Sequence, residues 1–416
     1  MRILYIAMDN PAVDTILGGM HDETLAGLPA FYFPFKMLLE KGHTIDLMLI
    51  SNEVHEVIES EHFKKENFFQ VKMKYSGILG MLEFPRLLRR ETRKRLKSQH
   101  YDFVYGMTEG AHTGVCVADK MGIPCALRQF GTREIVKDLE ATKCKLLRWV
   151  KAFKNYTYIT FALLGRKNFL LTTNDASHSD KLFDLLGIKN QKYDFYFWRT
   201  GIKMPFDMPQ LVSGKPNGYP ETYNPMCLAQ IARIADEKRQ DRSARIVGEL
   251  HRHGYEMHMY YVGDISSQKM YESTMQIAEE YGIKDYLHFV GGKPQEQAWL
   301  YTRNAFAALL PPKHCLINTF YEDMAQGVAT VASDTEEMRR YVKTNENGCL
   351  FKTASEAAEQ IIWLKSHEEA YWKLRQAAFN TAHEEFLSVE KRFGMEVQLI
   401  IDTASGNSST SYCERI

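Results

Sequence analysis

Short apolar runs alternate with helical segments through most of this chain, and the whole alternation occurs twice. The first series of strand-like runs is RILYIAM, TIDLMLI, YDFVYGM, IPCALRQFGT and NFLLTTN. The second series is MCLAQIARI, EMHMYYVGD, YLHFVGG, NAFAALL and VATVASD. Because strands separated by helices need crossover connections, each series predicts a parallel sheet of the Rossmann type. The sequence therefore predicts an α/β protein with two Rossmann-like domains that face each other across a cleft.

A segment rich in proline and glycine separates the two series. Residues 203–225 contain KMPFDMPQLVSGKPNGYPETYNP and show little periodicity, which is typical of a linker. The predicted first domain is residues 1–202, and the predicted second domain is residues 226–384. Residues 385–403 predict a helix that crosses back to the first domain, and residues 404–416 form a polar tail.

Composition and charge exclude several classes of protein. Lys plus Arg equals 52 and Asp plus Glu equals 52, so no overall charge attracts nucleic acid. The seven cysteines are scattered without a C-x-x-C pair, which argues against a zinc site or a disulfide framework. The apolar run in the start, MRILYIAMDN, is too short for a signal peptide and is followed too soon by an acidic residue. Other apolar runs, such as YITFALLG, are shorter than the ~20 residues that span a bilayer. These features predict a cytoplasmic protein.

Polar residues interrupt an apolar strand–loop–helix–strand pattern between Pro311 and Asp334. TFYEDMAQG predicts a short helix that ends at Gly327, with Glu322 in its first turn. This turn would lie at the carboxyl edge of the second sheet, where doubly wound folds bind ligands. Thr319 and Glu322 also fit a capping box, in which Glu322 would only satisfy a backbone N–H. Both interpretations stay open at this point.

Two cations follow the first strand of the second series. Arg233 and Lys238 lie in the turn before a helix. An arginine can donate two parallel hydrogen bonds to a phosphate and a lysine adds a compact positive charge, so the two side chains suit a diphosphate. The alternative is a pair of solvated surface charges.

The order of features in the second half resembles glycosyltransferase family 4, retaining enzymes of the GT-B fold. The pieces that carry the resemblance are ARIADEKR, VGD, FVGG and NTFYEDMAQGVATVAS. In the first half they are MRILYIAMDN, ILGG, EKGHTIDLMLI, YDFVYGMTEG and MGIPCALRQFGT. The resemblance reaches to about residue 400. It implies a retaining transfer of a sugar from a nucleotide-diphosphate donor to a glycan or lipid-linked acceptor in surface polysaccharide synthesis.

The resemblance also implies roles for particular residues. Arg233 and Lys238 would neutralise the departing diphosphate, and Glu322 would accept hydrogen bonds from ribose hydroxyls. The remaining implied donor contacts are Gly18, Gly19, Gly291, Asn318 and Thr319. No Asp-x-Asp motif follows a strand, so we expect no metal and no cofactor beyond the donor substrate.

The chain departs from the family pattern at three places. His314 occupies the position of the first glutamate of the E-x7-E pair, either as a neutral sugar contact or as a loop residue without a role. Phe130 precedes Gly131 where many members carry His-Gly. Lys238 is followed by Arg239 instead of glycine. The residues that could replace the missing histidine on the acceptor or sugar side are Glu109, His112 and Arg128, with caps and a surface pair as their structural alternatives.

Two segments of the first half are strongly basic. Residues 85–98 read PRLLRRETRKRLKS, and residues 143–154 lie within KCKLLRWVKAFKNY. The second segment puts Leu146, Trp149, Val150 and Phe153 on one side of a helix, as interfacial helices do. Either the protein docks on an anionic membrane surface, or these helices face the core with a solvated basic side.

Three other functions compete with glycosyl transfer. A non-catalytic protein that binds a nucleotide sugar or a glycan fits the histidine at position 314, and a nucleotide-sugar epimerase could use the same fold. A nicotinamide dehydrogenase is disfavoured, because ILGGMHDETLAG does not match G-x-G-x-x-G. His251, His253 and His258 could suggest a metal, but a solvated helix end followed by a strand explains them better.

Overall fold

The computed structural model divides the chain into two compact units. One unit comprises Met1–Gly201 together with Val389–Ile416, and the other comprises Ile202–Ser388. The structure describes residues 1–21, 29–75, 77–129, 133–154, 169–174, 179–188, 194–198, 201–203, 227–312 and 318–407. The two short strands β8 (Gly201–Ile202) and β15 (Leu387–Ser388) lie where the chain passes from one unit to the other.

The first unit is built on a seven-stranded sheet whose neighbouring strands are all parallel. In chain order its strands are β1 (Arg2–Met8), β2 (Thr44–Ile50), β3 (Phe68–Val71), β4 (Phe103–Met107), β5 (Cys125–Gln129), β6 (Phe169–Asn174) and β7 (Asp194–Trp198). Their order across the sheet is β3-β2-β1-β4-β5-β6-β7. The order reverses direction between β1 and β4, which is the switch point of a doubly wound sheet.

Helices surround this sheet because the crossover connections of a parallel sheet need them. The helices of the first unit are Pro11–Leu17, Pro29–Glu40, Gly77–Ser98, His112–Lys120, Arg133–Glu140, Lys145–Lys154, Ser179–Leu186 and Val389–Ala404. On one face of the sheet, Tyr5 stacks on Tyr105 at 4.8 Å between ring centroids and meets Phe35 edge-on. Such aromatic pairs stabilise the core beyond their buried area.

The second unit repeats this architecture with six parallel strands. They are β9 (Cys227–Ile231), β10 (His258–Val262), β11 (Leu287–Phe289), β12 (Ala307–Leu310), β13 (Thr330–Ser333) and β14 (Cys349–Phe351). The helices are Gln240–Arg252, Gln268–Tyr281, Gln295–Asn304, Asn318–Ala325, Ala354–Ser366 and Glu368–Glu385. The strand order β11-β10-β9-β12-β13-β14 places the switch point between β9 and β12.

The last helix, Val389–Ala404, returns to the first unit and is fixed there by buried charges. Glu396 accepts hydrogen bonds from Arg128, Arg392 and Tyr105. The Arg392 guanidinium also lies 4.3 Å from the ring centroid of Trp198 on β7. Buried charges need such partners, so this network determines where the last helix packs.

Several elements differ from those expected. Residues Pro11–Leu17 form a helix that the sequence analysis did not identify. Asn10 caps its start through a 3.1 Å bond from Ala12 N, and Pro11 suits the first helical position. The short strands β3, β7 and β14 lacked a recognisable pattern. The run YITFALLG and most of the predicted linker lie outside the described residues. No described helix is both long and apolar enough to cross a bilayer.

Candidate donor site in the second unit

The predicted donor contacts follow the two strands at the switch point of the second sheet. Arg233 comes two residues after β9 and is followed by Lys238, while the helix that carries Glu322 comes after β12. Strands β9 and β12 are parallel neighbours, so their carboxyl ends lie at one edge of the sheet. This edge is where doubly wound sheets bind ligands.

Glycine allows the chain to approach closely beside Arg233. Gly263 follows β10, and a Cβ added there would lie 2.3 Å from the Ala232 carbonyl oxygen and 2.7 Å from the Arg233 nitrogen. Backbone bonds run from Ala232 N to Val262 O at 3.0 Å and from Ile234 N to Asp264 O at 2.8 Å. The VGD motif therefore braces the turn that presents Arg233.

The Arg233 guanidinium is accessible, with 62% of its side chain exposed, and its Nη2 lies 2.7 Å from Glu237. An exposed pair of this kind contributes little to stability, so a phosphate can replace Glu237 at small cost. Lys238 ends a short 3₁₀ turn, and its carbonyl accepts a 2.8 Å bond from Gln230. Among the described residues, the Lys238 ammonium has no ion-pair partner within 4.0 Å.

Arg239 occupies a backbone conformation that favours glycine. Its φ is +56° and its ψ is +48°, in the left-handed region. The guanidinium forms a double hydrogen bond with the Asp241 carboxylate at 2.8 and 2.7 Å. The family pattern has glycine after the lysine. Arg239 adopts the turn conformation that glycine would adopt more easily, and its ion pair with Asp241 holds it there.

Both carboxylate oxygens of Glu322 are held by the neighbouring helix Gln295–Asn304. Gln295 Nε2 donates to Oε1 and Trp299 Nε1 donates to Oε2, each at 2.9 Å. Burial raises the pKa of the Glu322 carboxyl, and the two donors partly oppose that rise. Each oxygen has a second lone pair, so the carboxylate can still accept hydrogen bonds from a diol.

This arrangement corrects two expectations about the helix Asn318–Ala325. Glu322 is its fifth residue and lies in the second turn, not the first. The capping box does not form, because Glu322 binds Gln295 and Trp299 while Thr319 lies within the helix. Asn318 is exposed at the helix start, and the Thr319 hydroxyl is buried with no hydrogen-bond partner among the described residues.

Gly291 adopts φ +72° after β11, and its carbonyl accepts a 3.0 Å bond from Gly263 N. The next residue, Gly292, donates its N–H to Asp264 at 2.8 Å. These bonds connect FVGG to VGD at the same sheet edge as Arg233. Sequence reasoning did not assign a role to Asp264.

Sequence reasoning also missed Arg242, which ties together the carboxyl ends of three strands. Its Nη1 donates to Pro311 O at 2.8 Å and Ser333 Oγ at 2.6 Å, and its Nη2 donates to Lys352 O at 3.0 Å. Burial lowers the pKa of this guanidinium. No local motif identifies Arg242, because its partners come from sequence positions far apart.

In the first unit, Gly18 and Gly19 end the helix Pro11–Leu17. Gly18 N donates to Asp14 O at 2.8 Å, and Gly19 has φ +99°. A Cβ on Gly19 would lie 3.2 Å from the His21 imidazole, so the position needs glycine for local reasons as well.

Two residues proposed for the acceptor or sugar side are inside the first unit. His112 is 1% exposed with its Nε2 3.1 Å from Cys116 Sγ, and Arg128 is fully buried against Glu396. Burial thus corrects the expectation that either side chain contacts a sugar. The backbone of Glu109 begins a short 3₁₀ turn after β4, while its side chain, His314, Phe130 and Gly131 lie outside the described residues.

Comparison with known proteins gives a family match for the second unit and a fold for the chain. Residues 218–381 match the family model described as glycosyl transferases group 1. Among curated proteins, none matches the chain by sequence. The chain resembles HepE from Anabaena solved with UDP and glucose, at 14% identity and TM-score 0.64, over 98% of this chain and 100% of that one. It resembles sucrose-phosphate synthase from Thermosynechococcus elongatus at 13% identity and TM-score 0.68, over 97% and 100%.

A third similar structure is WaaG, a glycosyltransferase of lipopolysaccharide biosynthesis, at 14% identity and TM-score 0.64 over 96% of this chain and 99% of that one. At these identities the structural similarity establishes the fold alone. The predicted fold class is confirmed: the chain is an α/β protein with the GT-B fold.

Proposed function

We propose that the protein is a retaining glycosyltransferase that uses a nucleotide-diphosphate sugar and needs no metal at the diphosphate. One observation carries the proposal. Arg233, Lys238 and Glu322 follow the two switch-point strands of the sheet that lies within the glycosyl transferases group 1 match. Retention rests on the resemblance to glycosyltransferase family 4, and so do the hexosyl donor and the polysaccharide pathway.

Charge compensation is the main chemical task in this reaction. The bond between the anomeric carbon and the diphosphate oxygen would break while an acceptor hydroxyl oxygen bonds to that carbon on the same face. The hydroxyl proton would pass to an oxygen of the departing diphosphate, on which negative charge develops. Arg233 would exchange Glu237 for a phosphate oxygen, and the Lys238 ammonium would add a second positive charge. The exposed start of the helix at Asn318 contributes backbone N–H groups that favour phosphate.

Glu322 would select the nucleoside half of the donor. Its two oxygens are fixed by Gln295 and Trp299, so they can receive the vicinal hydroxyls of a ribose with little loss of side-chain freedom. His314 remains a proposed contact of the donor sugar.

A nucleotide-binding experiment tests the donor site. The HepE structures hold UDP, so UDP is the first probe, followed by GDP, ADP and CMP. We expect one of the nucleoside diphosphates to raise the melting temperature of the wild type. The same nucleotide should not raise the melting temperature of Arg233→Ala. A ligand at ~100 times its dissociation constant adds about 2.7 kcal/mol to folded stability.

Arg252→Ala is the matched control for Arg233→Ala. Arg252 is 63% exposed and lies 3.0 Å from Glu249, much as Arg233 pairs with Glu237. Equal nucleotide shifts in wild type, Arg252→Ala and Arg233→Ala would remove the basis of the donor-site assignment. Nucleotide binding without sugar transfer to any acceptor would favour a non-catalytic binding protein. Turnover of the donor without acceptor would favour an epimerase.

We further propose that the first unit docks on an anionic membrane that presents a lipid-linked acceptor, on the cytoplasmic side. Six exposed cations of the helix Gly77–Ser98 line one depression of about 410 Å³: Arg86, Arg89, Arg90, Arg93, Lys94 and Lys97. Their spacing of three and four residues places them on one face of the helix. Each cation near an anionic surface contributes about 1 kcal/mol.

The second basic helix, Lys145–Lys154, exposes apolar side chains beside its cations. Leu146 is 75% exposed and Val150 is 52% exposed, whereas Trp149 packs against the buried cluster that contains Leu139 and Leu182. Trp149 therefore lies on the side of the helix that faces the core, and Leu146 and Val150 are available to contact a lipid surface.

Vesicle co-sedimentation tests this part of the proposal. We expect binding to vesicles that contain anionic lipid but not to neutral vesicles, and loss of binding in Arg89→Glu/Arg93→Glu. The control is Arg245→Glu/Lys269→Glu, which changes charge equally at exposed positions of the second unit. Equal, negligible binding of the wild type to both kinds of vesicle would refute membrane docking.

A further inference from the structure

Three side chains with metal-binding donor atoms meet at the carboxyl edge of the first sheet. Asp9 follows β1, and Glu53 and His55 follow β2, its parallel neighbour. One donor atom from each of the three lies within 4.8 Å of the others. The group is at the edge where the first sheet, like the second, can bind ligands.

The spacing suits adjacent ligands of one ion. Asp9 Oδ2 and His55 Nε2 are 3.0 Å apart. Two ligand atoms at right angles around an ion, each about 2.1 Å from it, are separated by roughly 3 Å. A carboxylate and an imidazole can therefore share an ion here without a change of backbone.

Two neighbouring groups lie beside these ligands. The Ser51 hydroxyl donates to Asp9 Oδ2 and lies 3.1 Å from His55 Nε2, while Asp14 Oδ1 lies 3.7 Å from His55 Nδ1, the nitrogen on the far side of the ring. Metal-binding histidines usually direct this second nitrogen toward a carboxylate or a carbonyl. The His55 side chain is only 7% exposed, so its ring is held in this orientation.

The described residues do not balance the negative charge at this site. Within the described part of the chain, no Lys or Arg lies within 4.0 Å of the carboxylates of Asp9, Asp14 and Glu53. The ion-pair partner that Asp9 and Asp14 share is the single imidazole of His55. A divalent cation would supply the missing positive charge.

We propose that Asp9, Glu53 and His55 bind a divalent transition-metal ion. One nitrogen and two carboxylate oxygens suit Mn²⁺ or Zn²⁺, and three protein ligands leave positions for water or for an oxygen of a bound ligand. The ion would clamp the loop after β2 to the end of β1. The site belongs to the first unit, whereas the proposed diphosphate contacts belong to the second, so it stands independently of the proposed function.

Titration of the full chain with Mn²⁺, followed by electron paramagnetic resonance, tests the site. Mn²⁺ is the better probe because Zn²⁺ would also bind thiols, and the chain has seven cysteines. We expect one Mn²⁺ per chain in the wild type and at least tenfold weaker binding in Glu53→Gln and in His55→Gln. Glu53 is exposed, so its substitution leaves the fold intact.

Glu56→Gln is the control, since Glu56 is an exposed carboxylate of the same loop outside the group. We expect it to bind Mn²⁺ as the wild type does. The proposal is overturned if the wild type shows no saturable binding, or if binding survives in Glu53→Gln and His55→Gln. Equal weakening in Glu56→Gln and Glu53→Gln would also overturn it, because it would indicate diffuse attraction to acidic residues.

Discussion

Trp299 donates its indole N–H to Glu322 across 2.9 Å, and this bond connects two helices of the second unit. Trp299 is 3% exposed, so its indole N–H cannot easily turn to another hydrogen-bond acceptor. Glu322 is thus held in place by a buried side chain whose own position does not depend on a bound ligand. Its orientation is prepared before any nucleotide binds, which reduces the entropy lost on binding.

Substitution of Glu322 tests its proposed contact with the nucleotide. Glu322→Ala would remove the two proposed acceptors for ribose hydroxyls, each bond to a charged group contributing about 1.5–3 kcal/mol. We expect the UDP dissociation constant to rise by roughly a hundredfold or more. Calorimetric titration measures this, with Glu296→Ala as the exposed control on the neighbouring helix. An unchanged dissociation constant in Glu322→Ala would show that the carboxylate does not contact the nucleotide.

The neighbouring Asp323 predicts a pH dependence of stability. It is 1% exposed, and burial raises the pKa of its carboxyl well above the usual value. The folded state therefore keeps a proton that the unfolded state releases as pH rises above about 4. Stability should fall with rising pH, by about 1.4 kcal/mol for each pH unit between the unfolded and folded pKa values, until the folded carboxyl ionises.

Urea denaturation of wild type and Asp323→Asn between pH 4 and pH 9 tests this expectation. The amide does not ionise, so the stability of the variant relative to wild type should increase as pH rises. A difference that stays constant across this range would mean that Asp323 has an ordinary pKa in the folded protein.

The buried network of the first unit predicts an acid-sensitive attachment of the last helix. Burial alone would raise the pKa of Glu396, but the charges of Arg128 and Arg392 lower it below its usual value. The stability that Glu396 contributes is present above its unfolded pKa and is lost as pH falls through its folded pKa. Burial lowers the pKa of Arg392 to about 10.

Glu396→Gln leaves two buried guanidinium groups without their carboxylate. Removal of one partner from a buried ion pair costs about 3–5 kcal/mol, so we expect a large loss of thermal stability and weaker dependence on acid. Glu390→Gln, an exposed change on the same helix, should have little effect. A small, equal effect of both substitutions would show that the network does not hold the helix.

The left-handed conformation of Arg239 predicts an unusual order of stabilities. A residue with a Cβ loses about 1 kcal/mol or more in this region relative to glycine. Both Arg239→Gly and Arg239→Ala lose the pair with Asp241, so their difference isolates the backbone effect. We expect Arg239→Gly to be more stable than Arg239→Ala by about 1 kcal/mol. Equal melting temperatures would contradict the assigned conformation.

The sequence predicted the elements whose signal is local and strong. The apolar runs around Tyr5 and Leu309 form central parallel strands, as predicted. The alternation of strand and helix predicted two Rossmann-like domains, and the resemblance to glycosyltransferase family 4 implied the GT-B fold, which the structural comparison confirms. The three-residue strand at Cys349 was too short to produce a pattern. Arg128 was predicted as an acceptor- or sugar-side residue, with a surface pair as the alternative, because its partner Glu396 lies 268 positions away.

The same limitation applies at the site. Arg233 and Glu322 were identifiable because their surroundings follow a known order of motifs. Trp299, which holds Glu322, and Arg242, which joins three strand ends, act through contacts between separate elements, and no spacing along the chain reveals such contacts. The cluster at Asp9 was not recognised in the sequence because its members follow two strands that are separated by two helices.

The return of the last helix imposes a timing on biosynthesis. A ribosome makes Arg128 early, but the carboxylate that neutralises it emerges only after the whole second unit, Ile202–Ser388, has been translated. At about 5–20 residues per second, the delay is on the order of ten seconds or more. During this interval the nascent first unit lacks the Glu396 carboxylate beside Arg128 and the apolar side chains of the last helix. The second unit is continuous in sequence, so it can complete its fold before the first one does.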